Sequence, residues 1–480
     1  MRGGPIDVPD WVQDAVFYQI FPDRFARSAR VAKPSGLEPW TDPPTVHGYK
    51  GGDLLGIAER LDHLEALGVN AIYLNPVFQS ASNHRYHTHD YHRVDPILGG
   101  DAALRELLDR AHERGMRVVL DGVFNHASRG FLQFSDILEN GRQSAYLDWF
   151  RVHRFPLEPY GDGDPGYDAW WNLPALPKLN TATPAVREFL WDVGERWLAF
   201  GADGWRLDVP NEIDDDVFWR EFRRRCRAVD PSCYLVGEIW GDADRWLAGD
   251  QFDAVMNYPL ARAIYGFVGH AFADDEVGRS GLRALERLDA PAFGETLSEL
   301  LGRYPREIVY AQMNLLGSHD TPRALTILRG DREALRLAYL LLFTLPGAPC
   351  VYYGDEIGLE GGHDPGSRNA MPWDDEGSWD GALLGWMREL AALRRERVAL
   401  RRGDTVVLAT KGDVLVFARQ HGEQRLVVAV NAGPRAATVP SVAGLNGRYR
   451  ELLSGDEVAF GRGRRRLPGR AAWVLERLDG

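Results

Sequence analysis

The stretch RVVLDGVFNH (117–126) closes an apolar run with a carboxylate and a histidine, and three later segments repeat the device. These are GWRLD (204–208), GEIW (237–240) and GSHD (317–320), each ending or following a strand-like run. In a chain of alternating strands and helices, strand C-terminal ends are where a barrel gathers its catalytic groups. Working outward, strand-like runs fall at 15–20, 71–77, 117–124, 204–209, 234–239, 254–259, 313–320 and 349–356, mostly apolar and β-branched. Doubly covered parallel strands have that composition.

Helical patterns separate the runs. Asp101 is expected to cap a helix with an apolar stripe of Leu104, Leu107, Leu108 and Ala111, ended by Gly115. Thr183-Pro184 opens another, with Val186, Leu190, Val193 and Trp197 facing inward and Gly201 past its end. Eight strands with intervening helices predict an α/β fold, a (β/α)8 TIM barrel. Residues 127–180 break the rhythm with loops and aromatic residues (Trp149, Tyr160, Trp170, Trp171), and predict an excursion domain after strand 3. Beyond residue 403, short alternating strands predict a C-terminal antiparallel β-sandwich. The expected organisation is barrel (1–126), excursion (127–180), barrel (181–403) and sandwich (404–480).

The 480 residues are 45% hydrophobic and 26% charged, ordinary for a large globular protein. A net charge of −13 argues against nucleic acid and against anionic membrane surfaces. Lysine occurs only at 33, 50, 178 and 411, so arginine carries nearly all positive charge, which reads as composition bias. The start lacks the apolar core of a signal peptide, and no run approaches a membrane span. Cys226, Cys233 and Cys350 lack metal-ligand spacing. Cys226 and Cys233 pairing stays an alternative to reduced thiols; the reading chosen is a reduced, cytoplasmic protein.

Three acids delivered to strand ends, Asp208, Glu238 and Asp320, point to glycosidic bond chemistry, which needs an acid and a carboxylate across the scissile bond. Arg206 and Asp208 are two apart on a strand and share a side, so the guanidinium favours an ionised carboxylate, as a nucleophile requires. Apolar Val236, Ile239 and Trp240 around Glu238 are expected to raise its pKa and keep it a proton donor. Asp320 would face the sugar as positive charge develops, and His126 and His319 add donors for sugar hydroxyls. A structural ion pair or helix cap explains any one acid alone; four segments in order at strand ends do not fit that reading.

These segments resemble the α-amylase superfamily, glycoside hydrolase family 13, over roughly residues 14–375. The resemblance implies Asp208 as nucleophile, Glu238 as general acid/base and Asp320 as transition-state stabiliser, with Arg206, His126 and His319 binding substrate. It implies a retaining mechanism with the Asp208 and Glu238 carboxyls about 5–5.5 Å apart. LPKLN (176–180), VPNE (209–212) and the stretch 352–374 are similar to the neopullulanase, cyclomaltodextrinase and maltogenic amylase group. By that similarity Asp364 and Arg368 contact the non-reducing side, and His84 and Glu212 occupy substrate-binding positions. Tyr86 would stack on the sugar at the cleavage point, and Trp240 on the leaving-group side. The implied function is hydrolysis of α-1,4, and also α-1,6, bonds in cyclodextrins, pullulan and maltooligosaccharides, with transglycosylation.

Two departures qualify this. Members of that group carry an extra N-terminal domain, whereas the first strand here begins near Ala15. The expectation is a more open site, with an α-amylase or α-glucosidase acting on linear maltooligosaccharides or starch as the alternative. Either a monomer or a dimer is expected. The second departure is His84, His87, His89 and His92 within nine residues. They are read as substrate-loop residues with no metal site, because extended spacing splays the rings. No cofactor is required; Asn125 matches a family calcium position, and a structural calcium there stays open. A non-catalytic barrel would lack at least one of the three acids. A metal-dependent barrel hydrolase would give the Arg206–Asp208 pair no special place.

Overall fold

The computed structural model describes residues 6–282, 284–442, 445–460 and 465–478. Eight parallel strands form its centre: β1 (Phe17–Ile20), β2 (Ala71–Leu74), β3 (Arg117–Gly122), β4 (Gly204–Leu207), β5 (Tyr234–Gly237), β6 (Ala254–Val255), β7 (Met313–Leu315) and β8 (Ala348–Tyr352). Their order is β6-β5-β4-β3-β2-β1-β8-β7, and a parallel bridge between Met256 and Met313 closes the ring. Every residue of β1, β2, β4, β5, β7 and β8 is buried, which explains why these runs are apolar throughout and do not alternate. The barrel expected from the sequence is the observed fold.

Helices cover the outside. In Pro184–Ala199, Pro184 sits in the first turn and Val186, Leu190, Val193 and Trp197 are buried. In Gly100–Glu113 the cap is Gly99 at φ 101°, not Asp101. The Asp101 carboxylate instead accepts from Val94 N–H at 2.8 Å, tying the helix start to the extended segment Thr88–Val94 before it. Between β5 and β6 the chain forms no α-helix; the crossover is loop and turn, anchored by buried Leu247 and Phe252. The excursion after β3 contains the helix Leu132–Asn140 and is joined by isolated bridges, among them His126–Lys178 and Ala169–Pro177.

The C-terminal part holds β9 (Asp404–Lys411), β10 (Val414–His421), β11 (Gln424–Asn431), β12 (Ala437–Thr438), β13 (Gly447–Glu451), β14 (Glu457–Phe460), β15 (Arg466–Leu467) and β16 (Ala471–Arg477). Six form an antiparallel sheet in the order β9-β10-β11-β16-β13-β14, with β12 and β15 as a separate pair. Alternation sorts its residues. Leu415, Phe417, Leu426 and Val428 join the barrel core, whereas Val414, Val416, Val427 and Ala429 pack with Val439 and Leu467. Among the described residues, no helix is long and apolar enough to cross a membrane.

Candidate active site

The four segments converge at the C-terminal ends of β3, β4, β5 and β7. Asp208 follows β4 by one residue and Glu238 follows β5 by one, so a close approach of these strands sets their spacing. Gly204 permits it: a Cβ there would lie 2.2 Å from the Tyr234 carbonyl oxygen. Arg206, fully buried, is the hub. Its Nη1 donates to Asp208 Oδ1 at 3.0 Å and to both Asp121 oxygens at 3.0 and 3.1 Å. Its Nη2 lies 3.0 Å from Glu238 Oε2 but makes no aligned hydrogen bond.

One cation therefore faces three buried carboxylates. Burial is the largest influence on each and pushes each pKa up, with Arg206 the main opposing influence. Glu238 is raised to about 7, in the direction expected from its apolar flanks. Asp208 also moves up, whereas the neighbouring arginine alone predicts only a favoured ion; the Glu238, Asp121 and Asp320 charges reinforce its burial. Three carboxylates raised together around one cation favour a proton held among them. We assign it to Glu238, because Asp208 has an aligned hydrogen bond from Arg206 and Glu238 has not.

The oxygens are in unlike settings. Asp208 Oδ2 is buried and without a hydrogen-bond partner among the described residues. Glu238 Oε2 accepts from Val209 N–H at 3.2 Å, and Glu238 Oε1 accepts from Trp240 Nε1–H at 3.2 Å. Val209 holds its N–H there from a left-handed backbone, φ 34° and ψ 52°, strained for a β-branched residue.

Asp320 stands at the rim, its side chain one-third exposed. Arg368 Nη2 lies 3.3 Å from Oδ1 and His319 Nε2 3.1 Å from Oδ2. Arg368 also pairs with Asp364 at 3.0 Å. His319 Nδ1 receives Gln19 Nε2–H at 2.9 Å and Asn75 Nδ2–H at 3.1 Å, which puts the ring proton on Nε2. That proton faces Tyr86 Oη at 2.7 Å, and Tyr86 in turn donates to Asp121 Oδ2 at 2.9 Å. Burial, with Arg368 and Arg206 nearby, holds the His319 pKa well below the usual histidine value. His126 is buried and lowered to about 3, so it too is neutral.

The remaining sequence candidates divide. Tyr86 lies parallel to the His319 ring at 5.3 Å. Trp240 stacks on Tyr258 at 3.6 Å with Gly281 packed against its six-membered ring, so it presents its N–H to Glu238 more than a free face to solvent. Glu212 pairs with Lys178 at 2.9 Å, linking the β4 loop to the excursion. His84 Nδ1 accepts from Tyr86 N–H at 3.2 Å, which shapes the loop under the tyrosine. His87 meets His84 edge-on at 5.0 Å, His92 pairs with Asp192, and His89 packs on Gly130. Among the described residues, no three His, Cys, Asp or Glu side chains converge as metal ligands. Asn125 Nδ2 is 3.2 Å from His126 Nδ1, and its buried Oδ1 lacks a partner. Among the described residues, no carboxylate cluster completes a calcium donor set around it, so no step is routed through a cation.

Several functional residues lie outside the sequence candidates. Asp121 opens the DGVFNH segment and is visible there. Tyr73, which donates to Asp121 at 2.6 Å, and the amides of Gln19 and Asn75 come from β1 and the end of β2, where nothing local marks them. Glu276 accepts from His363 N–H at 2.6 Å and so steadies the loop bearing Asp364.

Known proteins resemble this chain over nearly its whole length. Residues 19–388 match the model of the α-amylase catalytic domain, and residues 407–472 that of the α-amylase C-terminal all-β domain. A cyclomaltodextrinase of Geobacillus thermopakistaniensis is 45% identical over 456 residues, spanning 94% of this chain and 74% of the relative. The crystal structure of Ttha1563 from Thermus thermophilus is 52% identical with a TM-score of 0.93, covering 97% of this chain and 99% of that one. The cyclic α-maltosyl-(1→6)-maltose hydrolase of Arthrobacter globiformis is 40% identical with a TM-score of 0.87, covering 98% of this chain and 100% of that one.

Proposed function

We propose that this chain, which belongs to the α-amylase family of glycoside hydrolases, cleaves α-glucans with retention of configuration through a covalent intermediate on Asp208. The observation that carries the reading is the division of labour around Arg206. Asp208 keeps one oxygen hydrogen-bonded to the guanidinium and the other free to attack, while Glu238 is the protonated partner.

In the first step Asp208 Oδ2 attacks the anomeric carbon and Glu238 gives its proton to the departing glycosidic oxygen. Glu238 Oε2 accepts from Val209 and faces Arg206, so the proton is carried on Oε1. Asp320, anchored by Arg368 and His319, supplies the negative charge that steadies the oxocarbenium-like sugar. Glu238, now a carboxylate, then takes a proton from water, the water oxygen attacks the same carbon, and Asp208 leaves. A second sugar in place of water gives transglycosylation. Neutral His126 donates its Nε2–H to a sugar hydroxyl without adding charge, while neutral His319 directs its Nε2–H to Tyr86 and holds that ring in place.

For substrate we propose cyclodextrins, pullulan and short maltooligosaccharides, cut at α-1,4 and also α-1,6 bonds. The support is the cyclomaltodextrinase relative and the solved hydrolase of an α-1,6-containing cyclic maltoside. The same chemistry on linear glucans is the competing substrate reading. Three buried, unpaired cysteines suit a reducing cytoplasm. Product analysis on α-, β- and γ-cyclodextrin, pullulan and soluble starch side by side tests the substrate. Cyclodextrin opening faster than starch cleavage, with panose from pullulan, is expected; a preference for starch contradicts the cyclic-substrate reading.

A further inference from the structure

The excursion displays an aromatic ladder that the bond-breaking steps do not use. The buried His126 ring lies on Trp170 at 5.0 Å and 12°, and Trp170 lies on Trp171 at 4.4 Å and 16°. Trp171 ends the ladder 74% exposed, with Leu173 beside it at 46%. An indole this exposed is not held by burial.

The backbone holds it instead. Trp171 and the following Asn172 both adopt left-handed conformations, φ 51° and φ 57°, unfavourable for non-glycine residues. Closely spaced hydrogen bonds enforce them: Trp170 N–H to Leu176 O at 3.0 Å, Leu173 N–H to Trp170 O at 2.9 Å and Tyr167 Oη–H to Pro174 O at 2.6 Å. Strain of this kind persists where the surroundings over-determine it, and here the result is a rigid, outward-facing ring.

Two polar atoms without protein partners among the described residues lie along the same ladder, one of them the His126 donor that serves the catalytic site. Trp170 Nε1–H is buried with no partner among the described residues. His126 Nδ1 faces Asn125 Nδ2–H, which leaves the ring proton on Nε2, and that atom is also buried and unpaired among the described residues. The exposed flat face suits the C–H face of a pyranose, and the ladder behind it runs back to the buried substrate-site histidine. A protein partner would give no reason for the ladder to end on a substrate-site histidine.

We propose that Trp171 is a glucosyl-binding platform outside the cleavage point, continuous with the catalytic floor through Trp170 and His126. It takes a distal residue of a longer α-glucan, stacked on the open indole face. The proposal rests on the α-glucan reading above. It makes the excursion a determinant of chain length, separate from the bond-breaking groups.

The test compares Trp171→Ala and Trp171→Phe with the unaltered protein on maltotriose and maltoheptaose. In Trp171→Ala, kcat/KM on maltoheptaose should fall about tenfold, mainly through KM, with maltotriose within about twofold. Trp171→Phe should restore most of the loss, and thermal stability should stay unchanged. Equal losses on both substrates, or no loss on either, overturn the platform. A changed sedimentation mass with unchanged length dependence makes the ring a contact between copies and overturns it too. If the unaltered protein cleaves neither substrate, the α-glucan reading fails first and the platform falls with it. Where it cleaves both, the length dependence bears on Trp171 alone.

Discussion

Arg206 Nη1 sits 3.0 Å from Asp208 Oδ1, two residues along the same strand, and fixes one carboxylate oxygen while the other stays free. The same guanidinium holds Asp121 and faces Glu238. Lysine presents one point charge and no planar fork, so it cannot serve all three. Arg206→Lys should lower kcat/KM by about a hundredfold or more, with the acid limb of the pH profile moved upward as Asp208 loses the aligned guanidinium hydrogen bond that favours its ion. Steady-state kinetics across pH measure both effects; an unshifted acid limb would argue against the assigned role.

Glu238 must carry its proton to act as the acid, and its pKa is raised to about 7. Activity should therefore fall as pH rises through about 7. Asp121 is among the charges that raise Glu238, so Asp121→Asn should move that basic limb to lower pH. A basic limb that stays in place would show that Asp121 acts by geometry alone.

Val209 points its N–H at Glu238 from a strained left-handed backbone. Glycine adopts that conformation without the Cβ clash, a strain of order 1–3 kcal/mol. Val209→Gly should melt no lower than the unaltered protein, yet turn over more slowly because the more flexible glycine holds the N–H toward Glu238 less rigidly. Calorimetry and kcat on one preparation test this; a lower melting temperature would remove strain as the explanation.

His87 is lowered to about 4, chiefly by burial, while an unfolded histidine titrates near 6.5. Between those values the unfolded chain binds the proton first, so this group's stabilising contribution is lost as pH falls from about 6.5 to 4. Its slope is at most about 1.4 kcal/mol per pH unit. Raised carboxylates such as Asp355, at about 6, contribute with opposite sign, so the difference between proteins is the clean measure. His87→Gln should gain stability relative to the unaltered protein as pH falls through that window, by urea unfolding; parallel curves would contradict the sign.

What can be read from the sequence is local. The eight strands are short apolar runs, and the Arg206–Asp208 pairing follows from two-residue alternation on one strand. Asp121 is in plain view within DGVFNH. Tyr86 is picked out as a substrate-site ring, but the other groups that orient the site are not legible, because Tyr73, Asn75 and Gln19 meet only when β1, β2 and their loops close around Asp121 and His319. Trp171 is one aromatic among several in its stretch; its display depends on φ angles that residue type does not encode. Likewise β16 pairs between β11 and β13 through long-range contacts that the alternating pattern leaves open. Gly99 caps its helix in place of Asp101 because the carboxylate finds a better-placed donor in Val94.

The central claim is that Asp208 attacks through its free oxygen and forms a covalent intermediate. Proton NMR of the first product from a maltooligosaccharide, before mutarotation, measures it most directly. Two displacements at the same carbon predict the α anomer first; the β anomer first would contradict the covalent route.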